Sequence, residues 1–288
     1  MNFSIIIPVY QEKNINRLLK RLLEQDIPKN TSLKKIIVVA CGYKDFSFVK
    51  DEKIMIIKEI ERKGKAFAIN SGLKKTGDSD TVVVISGDIL PQKNTIKNLL
   101  KPFSNPNVGM VGGRPIPLND KKKFMGFIVH LIWNLLHQVS LKKAKTGEIV
   151  AFRNVIKKIP VESAVDEASI EAEIQERGYT IAYAPDAVVY MKGPETISDL
   201  IKQRKRIFIG HLHLKNTKGY EVSTMSIMRI LESFKRIFRM NWKWVTWSLF
   251  AVLLESYARL SAMFDFYVLK KNPYKWEIIR TSKNLEVV

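Results

Sequence analysis

Four short stretches carry side chains whose types and spacing could do chemistry. Ser86-Gly87-Asp88 follows a run of β-branched residues, so its carboxylate would stand at a strand tip. A carboxylate there can anchor Mg²⁺ or Mn²⁺ held through a substrate diphosphate, because such an ion needs only one or two protein carboxylates beside phosphate oxygens. An ordinary turn Asp after a strand reads the same way. Arg62-Lys63-Gly64-Lys65 precedes a helical stretch, where N–H groups and two or three cations either converge on an anion or are simply solvated. Asp166-Glu167 opens a helix: the pair either caps N–H groups and complements the dipole, or supplies a general base that takes a proton from an acceptor hydroxyl. Gln203-Arg204-Lys205-Arg206 is a basic helical turn in which Gln203 and Arg206 share a face while Arg204 and Lys205 point elsewhere. Such a run is a solvated face or a nucleic-acid patch. His211 and His213 follow, and a lone His is more often structural than a ligand.

These groups need elements to position them. Near-continuous Ile/Val runs predict strands at residues 3–7, 35–40, 54–58, 81–86 and 108–112, buried on both faces. Between them Ile15, Leu18, Leu19, Leu22 and Leu23 recur at helical spacing, and 64–75 and 92–103 are further helices. Alternation of this kind predicts an α/β fold with an open, mostly parallel sheet flanked by helices, whose ligands sit beyond the carboxyl ends of the strands. In the second half, 122–143 predicts one long helix and 147–153 a strand. A helix at 167–177 is closed by Gly178, short strands follow at 180–184 and 187–190, and Thr196 caps a helix over 196–207. A break around 216–223 separates residues 1–215 from a C-terminal extension, 216–288, of two amphipathic helices at 225–239 and 242–269.

Joint order says more than any single stretch. Pro8-Val9-Tyr10-Gln11-Glu12, a leucine-rich helix ending at Gln25, and then Arg62-Lys63-Gly64-Lys65-Ala66 with Ala68 and Asn70 resemble the start of family 2 glycosyltransferases of the GT-A (Rossmann-like) fold. Gly87-Asp88 falls where that family has Asp-x-Asp, and Thr146-Gly147 with Phe152-Arg153 is similar to its acceptor-side strand. Asp166-Glu167 sits where the family has Glu-Asp, eleven to twelve residues before Gly178-Tyr179. Tyr183-x-Pro185-x-Ala187-Val188-Val189-Tyr190 and Gly193-Pro194-Glu195-Thr196 lead into Gln203-Arg204-Lys205-Arg206-Ile207, similar to Gln-x-x-Arg-Trp. The resemblance covers about residues 1–215. It implies an inverting transferase that moves a sugar from a nucleoside-diphosphate sugar to a glycan or lipid-linked acceptor. The nucleoside would lie against Pro8, Val9, Tyr10 and Glu12. The diphosphate would be held by Mg²⁺ or Mn²⁺ on Asp88, beside Gly87, with Lys65, Gln203 and Arg206. Gly147 would face the acceptor, and Asp166 or Glu167 would be the base.

Three departures from the family pattern bear on that reading. Ala40-Cys41-Gly42-Tyr43 stands where the family has Asp-Asp-Gly-Ser, so the donor base need not be uracil. Ser86 replaces the first Asp of Asp-x-Asp. Ile207 replaces the Trp that touches polymer in processive synthases.

Composition bounds the rest. The chain has 288 residues, 46% hydrophobic and 26% charged, with one cysteine, enough for a core and too apolar for disorder. Cys41 alone forms no internal bridge. Lys and Arg number 48 against 28 Asp and Glu, a net charge of +20, which favours phosphates, nucleic acid or an anionic membrane. Residues 192–243 hold 12 Lys and Arg against four Asp and Glu, with Trp242, Trp244 and Trp247 beside Lys235, Arg236, Arg239 and Lys243, the pairing expected at a membrane interface. No secretory signal is visible, and neither 124–141 nor 244–269 makes a clean span. The expected place is therefore the cytoplasmic face of a membrane, held peripherally, with a soluble cytoplasmic protein as the alternative. Rival readings are a basic nucleic-acid-binding α/β protein, a nucleotidyltransferase, for which no Gly-rich loop follows the first strand, and a degenerate, inactive relative. No nucleic-acid module accompanies the charge, so nucleic acid is not the expected partner.

Overall fold

The computed structural model describes residues 1–45, 47–145, 147–275 and 279–282. Its β-branched runs form strands because each face of the sheet offers them an apolar layer. In β1 (Asn2–Tyr10), Ile5, Ile7 and Val9 enter one core while Ile6 enters the other. β2 (Ser32–Cys41) and β4 (Thr81–Ile85) divide in the same period-two way, Ile36, Val38 and Val83 to one side, Ile37, Val39 and Val82 to the other. The first core is roofed by α1 (Ile15–Leu23) and α3 (Thr95–Leu100), the second by α2 (Lys65–Leu73) and α5 (Asp166–Glu176). In α1, Ile15, Leu18, Leu19 and Leu22 make one buried stripe. In α2, Gly72 lets the helix lie directly on β1: a Cβ there would come within 2.6 Å of Ile6 Cγ2.

With β3 (Ile54–Glu59), β5 (Ile89–Pro91), β6 (Val108–Pro117), β7 (Ile149–Arg153) and β8 (Thr180–Met191), the sheet has eight strands among the described residues, ordered β3-β2-β1-β4-β7-β6-β8-β5. The β3-β2-β1-β4 half is parallel, as is β6 with β8. β7 runs against both β4 and β6, so its first residues lie at the edge where the parallel strands end.

Several boundaries differ from expectation. The strands expected at 180–184 and 187–190 are one strand, β8. Pro185 has no N–H to give the ladder, so pairing with β6 lapses between Tyr183 and Val188 while the chain runs on extended. The 92–103 helix ends as α3 at Leu100 and tightens into a 3₁₀ turn over Lys101–Ser104, where Pro102 stands. The helix expected to stop at 207 continues as α6 (Ile197–Lys218), because Ile209, Leu212 and Leu214 still have a core to enter; Gly219, at φ +65°, closes it.

α4 (Phe124–Lys142) is long and apolar enough to cross a membrane by length and composition. It is followed in space by the tail helices α7 (Ile227–Ile237) and α8 (Trp242–Tyr267). Phe124 and Phe127 of α4 meet Trp247 edge-on, both at 5.4 Å, and Trp244 packs among Phe127, Phe234 and Phe238. Trp244 and Trp247 are thus part of the protein's own packing, whereas Trp242 is 77% exposed.

Candidate active site

The ends of β1, β2, β3 and β4, the start of β7, the first turn of α5 and one face of α6 enclose a cavity of about 310 Å³, at the low end of ligand-sized pockets. Every site residue expected from the sequence lines it. Pro8, Val9, Tyr10 and Glu12 form one end; Lys65, Gly87, Asp88 and Gly147 the floor; Asp166, Glu167, Gln203 and Arg206 the far wall. Thr146 lies outside the described residues.

The Pro8–Glu12 end is built by the β1–α1 turn. Glu12 is buried and its Oε1 accepts from the Asn14 backbone N–H at 3.1 Å. The Tyr43 hydroxyl donates to the Glu12 carbonyl at 3.0 Å and accepts from the Glu12 N–H at 2.7 Å; burial pushes the Tyr43 phenol up to about 12. Tyr43, from the stretch that departs from the family pattern, therefore braces this turn. Arg62 lies over the Tyr10 ring at 4.8 Å. Of the basic run at 62–65, Lys63 turns aside over Phe67, so only Arg62 and Lys65 face the cavity.

At the floor, Asp88 follows the end of β4, and Gly87 lets that turn approach β1: a Cβ on it would meet Val9 Cγ1 at 2.5 Å. Lys65, at the first turn of α2, donates to Ser86 Oγ at 3.4 Å and to Glu167 Oε1 at 2.5 Å, and lies 3.8 Å from Asp166 Oδ2. Asn70, one turn on, clamps the loop that leads into α5, giving and receiving 2.8 Å bonds with the Ile159 backbone.

The cap residue is Val165, which makes no side-chain cap bond; Asp166 and Glu167 follow it in the first turn, where each carboxylate interacts with its own backbone N–H and both residues line the cavity. Their burial differs: the Asp166 side chain is 2% exposed and that of Glu167 18%. Burial pushes the Asp166 carboxyl up to about 7, Lys65 and Arg206 resisting and Glu167 adding to the rise. Its Oδ1 is buried with no hydrogen-bond partner. Burial acts on Glu167 as well, but the Lys65 ammonium in contact with it holds that carboxyl below the usual carboxylate range. Lys65 itself is desolvated, yet Glu167, Asp166 and Glu148 raise its pKa and keep it charged.

On α6, Gln203 and Arg206 line the cavity, and so does Arg204, against the expectation that it points elsewhere. Arg204 also makes a bidentate pair with Glu255 of α8, at 2.7 and 2.9 Å, and Lys205 pairs with Asp265 at 2.9 Å. Of the basic turn only Lys205 is off the cavity, and Arg204 ties the cavity wall to the tail. His211 also lines the cavity; burial, with Lys145, Arg204 and Arg259 nearby, lowers its pKa well below the ordinary value and keeps it neutral. His213 does not line it.

Among the lining residues that sequence reasoning missed, four bear on the chemistry or the shape of the cavity. Glu148 precedes β7 beside Ser86, and burial with the Asp88 charge pushes its carboxyl up to about 7. Glu59 ends β3 with Oε1 buried and unpartnered. Lys145 is buried enough to lower its pKa, and Trp133 of α4 stands with Ile132 and Leu136 in an apolar wall. Strand-end position was a signal for Glu59. Glu148 gave none, since its importance comes from an antiparallel pairing that a single sequence does not announce.

Residues 1–210 match the family model described as Glycosyltransferase like family 2. Poly-beta-1,6-N-acetyl-D-glucosamine synthase of Staphylococcus aureus (strain COL) is 24% identical in an alignment that covers 74% of this chain and 56% of that protein. The synthase of the same name from Staphylococcus epidermidis is 22% identical in an alignment that covers 84% of this chain and 62% of that one. The chain spans somewhat more than half the length of these curated relatives. Among solved structures, mannosyltransferase PcManGT from Pyrobaculum calidifontis, in complex with GDP-Man and Mn²⁺, is similar at TM-score 0.56 and 19% identity, over 95% of this chain and 81% of that one. S. aureus TarS is similar at TM-score 0.51 and 18% identity, over 95% and 50%. These structural likenesses carry the expected GT-A-type α/β fold.

Proposed function

The chain belongs to the family 2 glycosyltransferases, and from that premise we propose that it is an inverting enzyme that transfers a sugar from a nucleoside-diphosphate sugar to a glycan or lipid-linked acceptor. One observation carries the reading. Asp88 at the tip of β4 and the Asp166-Glu167 pair at the start of α5, far apart in sequence, line one cavity, with Lys65 reaching the pair at 3.8 and 2.5 Å.

In this reading the nucleoside lies against Pro8, Val9, Tyr10 and Glu12, and the diphosphate lies between Lys65, Gln203 and Arg206. The residues fit a divalent ion. Asp88 offers a hard oxygen donor on the cavity floor, and no group of three or more His, Cys, Asp or Glu side chains is gathered for a metal among the described residues. The site would therefore complete its ligand shell with phosphate oxygens, as Mg²⁺ and Mn²⁺ do. PcManGT, solved with Mn²⁺, supports the same cofactor class. When bound, the ion stabilises charge that develops on the leaving diphosphate, and Arg206 and Lys65 add fixed positive charge there.

Glu167 is the better placed base. It is the more exposed of the pair, and its contact with Lys65 keeps it ionised, whereas Asp166 behind it is pushed toward protonation. The acceptor hydroxyl gives its proton to Glu167 as its oxygen bonds the anomeric carbon opposite the diphosphate, so an α-linked donor yields a β-linked product. Gly147 and the wall of Ile132, Trp133 and Leu136 would receive the acceptor; an apolar wall suits a sugar face or a lipid stem. The names of the staphylococcal relatives support a hexose or N-acetylhexosamine donor and a glycan acceptor. We take residues 1–215 as the catalytic part and 216–288 as a part that holds it to the cytoplasmic face of an anionic membrane.

The test is transfer from UDP-, GDP- and dTDP-sugars with Mn²⁺ or Mg²⁺. Asp88→Ala and Glu167→Gln should each lower turnover by roughly 10²–10⁴-fold, and Lys29→Ala should not. Both carboxylate variants working at the wild-type rate would overturn the assignment.

A further inference from the structure

β4 and β7 form an antiparallel ladder that ends with Ile85 opposite Ile149. One step beyond, the Ser86 N–H donates to the Glu148 carbonyl at 3.0 Å, so Glu148 stands across from Ser86, at the edge that carries Asp88. The Ser86 hydroxyl bonds the Glu148 carboxylate, and the Asp88 charge acts on it directly. Glu148 also has φ +40°, a left-handed conformation that a side chain other than Gly, Asn or Asp seldom takes, and such strain persists only where surrounding structure enforces it. Its side chain lines the same cavity as Asp88. A second and independent sign that the cavity is made for a ligand is Asp166, 1% exposed, whose Oδ1 is buried there with no hydrogen-bond partner.

Two carboxylates held together repel, and the Lys65 and Arg206 charges offset this only in part, since the Glu148 carboxyl is still pushed up. Hard divalent ions accept this arrangement, taking two protein carboxylates and filling the remaining positions with water and phosphate oxygens. Ser86 stands just past the end of β4, two residues before Asp88, and offers a hydroxyl rather than a carboxylate. We propose that Glu148 supplies a carboxylate from the neighbouring strand, so that Asp88 and Glu148 together ligate the divalent ion that accompanies the donor diphosphate, with the Ser86 hydroxyl orienting Glu148. This deepens the proposed function and rests on it.

The test reads metal binding rather than turnover: Mn²⁺ titration of the full chain, with and without GDP or UDP, followed by the electron paramagnetic resonance of free Mn²⁺. Glu148→Gln should weaken Mn²⁺ binding in the presence of nucleoside diphosphate by at least about tenfold. Moving the carboxylate to position 86, in the double variant Ser86→Asp with Glu148→Gln, should restore binding to within roughly threefold of wild type. If Glu148→Gln does not fold, Glu148→Gly removes the same carboxylate on a backbone conformation that glycine favours, and the same loss is expected. Wild-type Mn²⁺ affinity in these Glu148 variants, with Asp88→Asn losing it, overturns the role of Glu148 and leaves the transferase reading intact. A wild-type chain that takes up no Mn²⁺ with either nucleotide overturns the metal role of both carboxylates, and the transfer assay decides the transferase reading separately.

Discussion

At Lys65 two demands meet. The ammonium sits where a donor diphosphate would need a cation, and it is also the partner that keeps Glu167 ionised in a desolvated wall. Without Lys65, burial would act on Glu167 against only its own backbone N–H and the Lys145 charge. Burial disfavours the charged form of a carboxyl, so the Glu167 pKa would rise and the base would be ionised only at higher pH. The pH dependence of kcat/KM in Lys65→Met should therefore show its acid limb displaced upward by at least about one pH unit, in addition to a lower plateau from weaker diphosphate binding. A lower plateau with an unmoved acid limb would mean that Lys65 serves the donor alone and that the base lies elsewhere. Asp166 answers to the same logic from the other side. At about 7 it changes protonation in the working range, as Glu148 does, so Asp166→Asn should weaken the inflection near neutrality in the pH profile and leave the part that Glu148 contributes.

Between elements, the firmest link from the cavity to the tail is the pairing of α6 with α8. Burial opposes the Glu255 charge, but Arg204 and then Arg259, which donates at 2.6 Å, hold its carboxyl down at about 2. A folded pKa below the ordinary 4.5 means that the stabilisation is full above that value and is lost as pH falls toward 2. The shift corresponds to on the order of 3 kcal/mol, reduced to about 1–3 kcal/mol by solvent around a side chain one-quarter exposed. Urea unfolding should find Glu255→Gln less stable than wild type by that amount at pH 7, and the two should converge near pH 2.5. A gap that stays constant from pH 7 to 2.5 would remove the pair from the account. This link was not legible in the sequence. Strand cores, the α1 stripe and the shared face of Gln203 and Arg206 follow from periodicity two and 3.6 in one chain segment. The partners of Arg204 and Lys205 lie 51 and 60 residues away, and nothing local marks Glu255 and Asp265, which stand in an otherwise apolar run, as their counterions. The joining of two strands through Pro185 and the placement of Glu148 opposite Ser86 escaped for the same reason: both depend on a neighbouring strand.

On the scale of the whole molecule, α8 has its amphipathicity reversed. Ser248, Ala251, Ala258 and Ala262 are its buried residues, with Glu255 on the same inward face, while Leu249, Phe250, Leu253, Tyr257, Leu260 and Phe264 are exposed, Leu260 at 67%. Small residues let α8 lie close to α6, and the bulky apolar side chains are left facing out. Lys235, Arg236, Arg239 and Lys243 are exposed at one end of that face beside Trp242. A broad apolar face needs a cover, and one flanked by cations and an exposed Trp is best matched by an anionic lipid surface, where acyl chains receive the leucines and headgroups the bases. The outward residues then should matter more to lipid binding than to folding. Wild-type chain should co-sediment with vesicles containing anionic lipid at ~0.15 M salt, where the Debye length is ~8 Å. Replacing Leu253 and Leu260 together by Ser should weaken that binding by roughly tenfold or more, since each buried leucine contributes about 1.5–3 kcal/mol, with the thermal midpoint nearly unchanged because neither side chain is in the core. Neutralising Lys235, Arg236 and Arg239 should weaken binding to anionic vesicles, make the remainder less dependent on salt, and leave the weaker attachment to neutral vesicles as it was. Absence of wild-type chain from the anionic vesicle pellet at that salt would turn the same face toward a protein partner, and a lowered thermal midpoint in the double Ser variant would make it part of the fold.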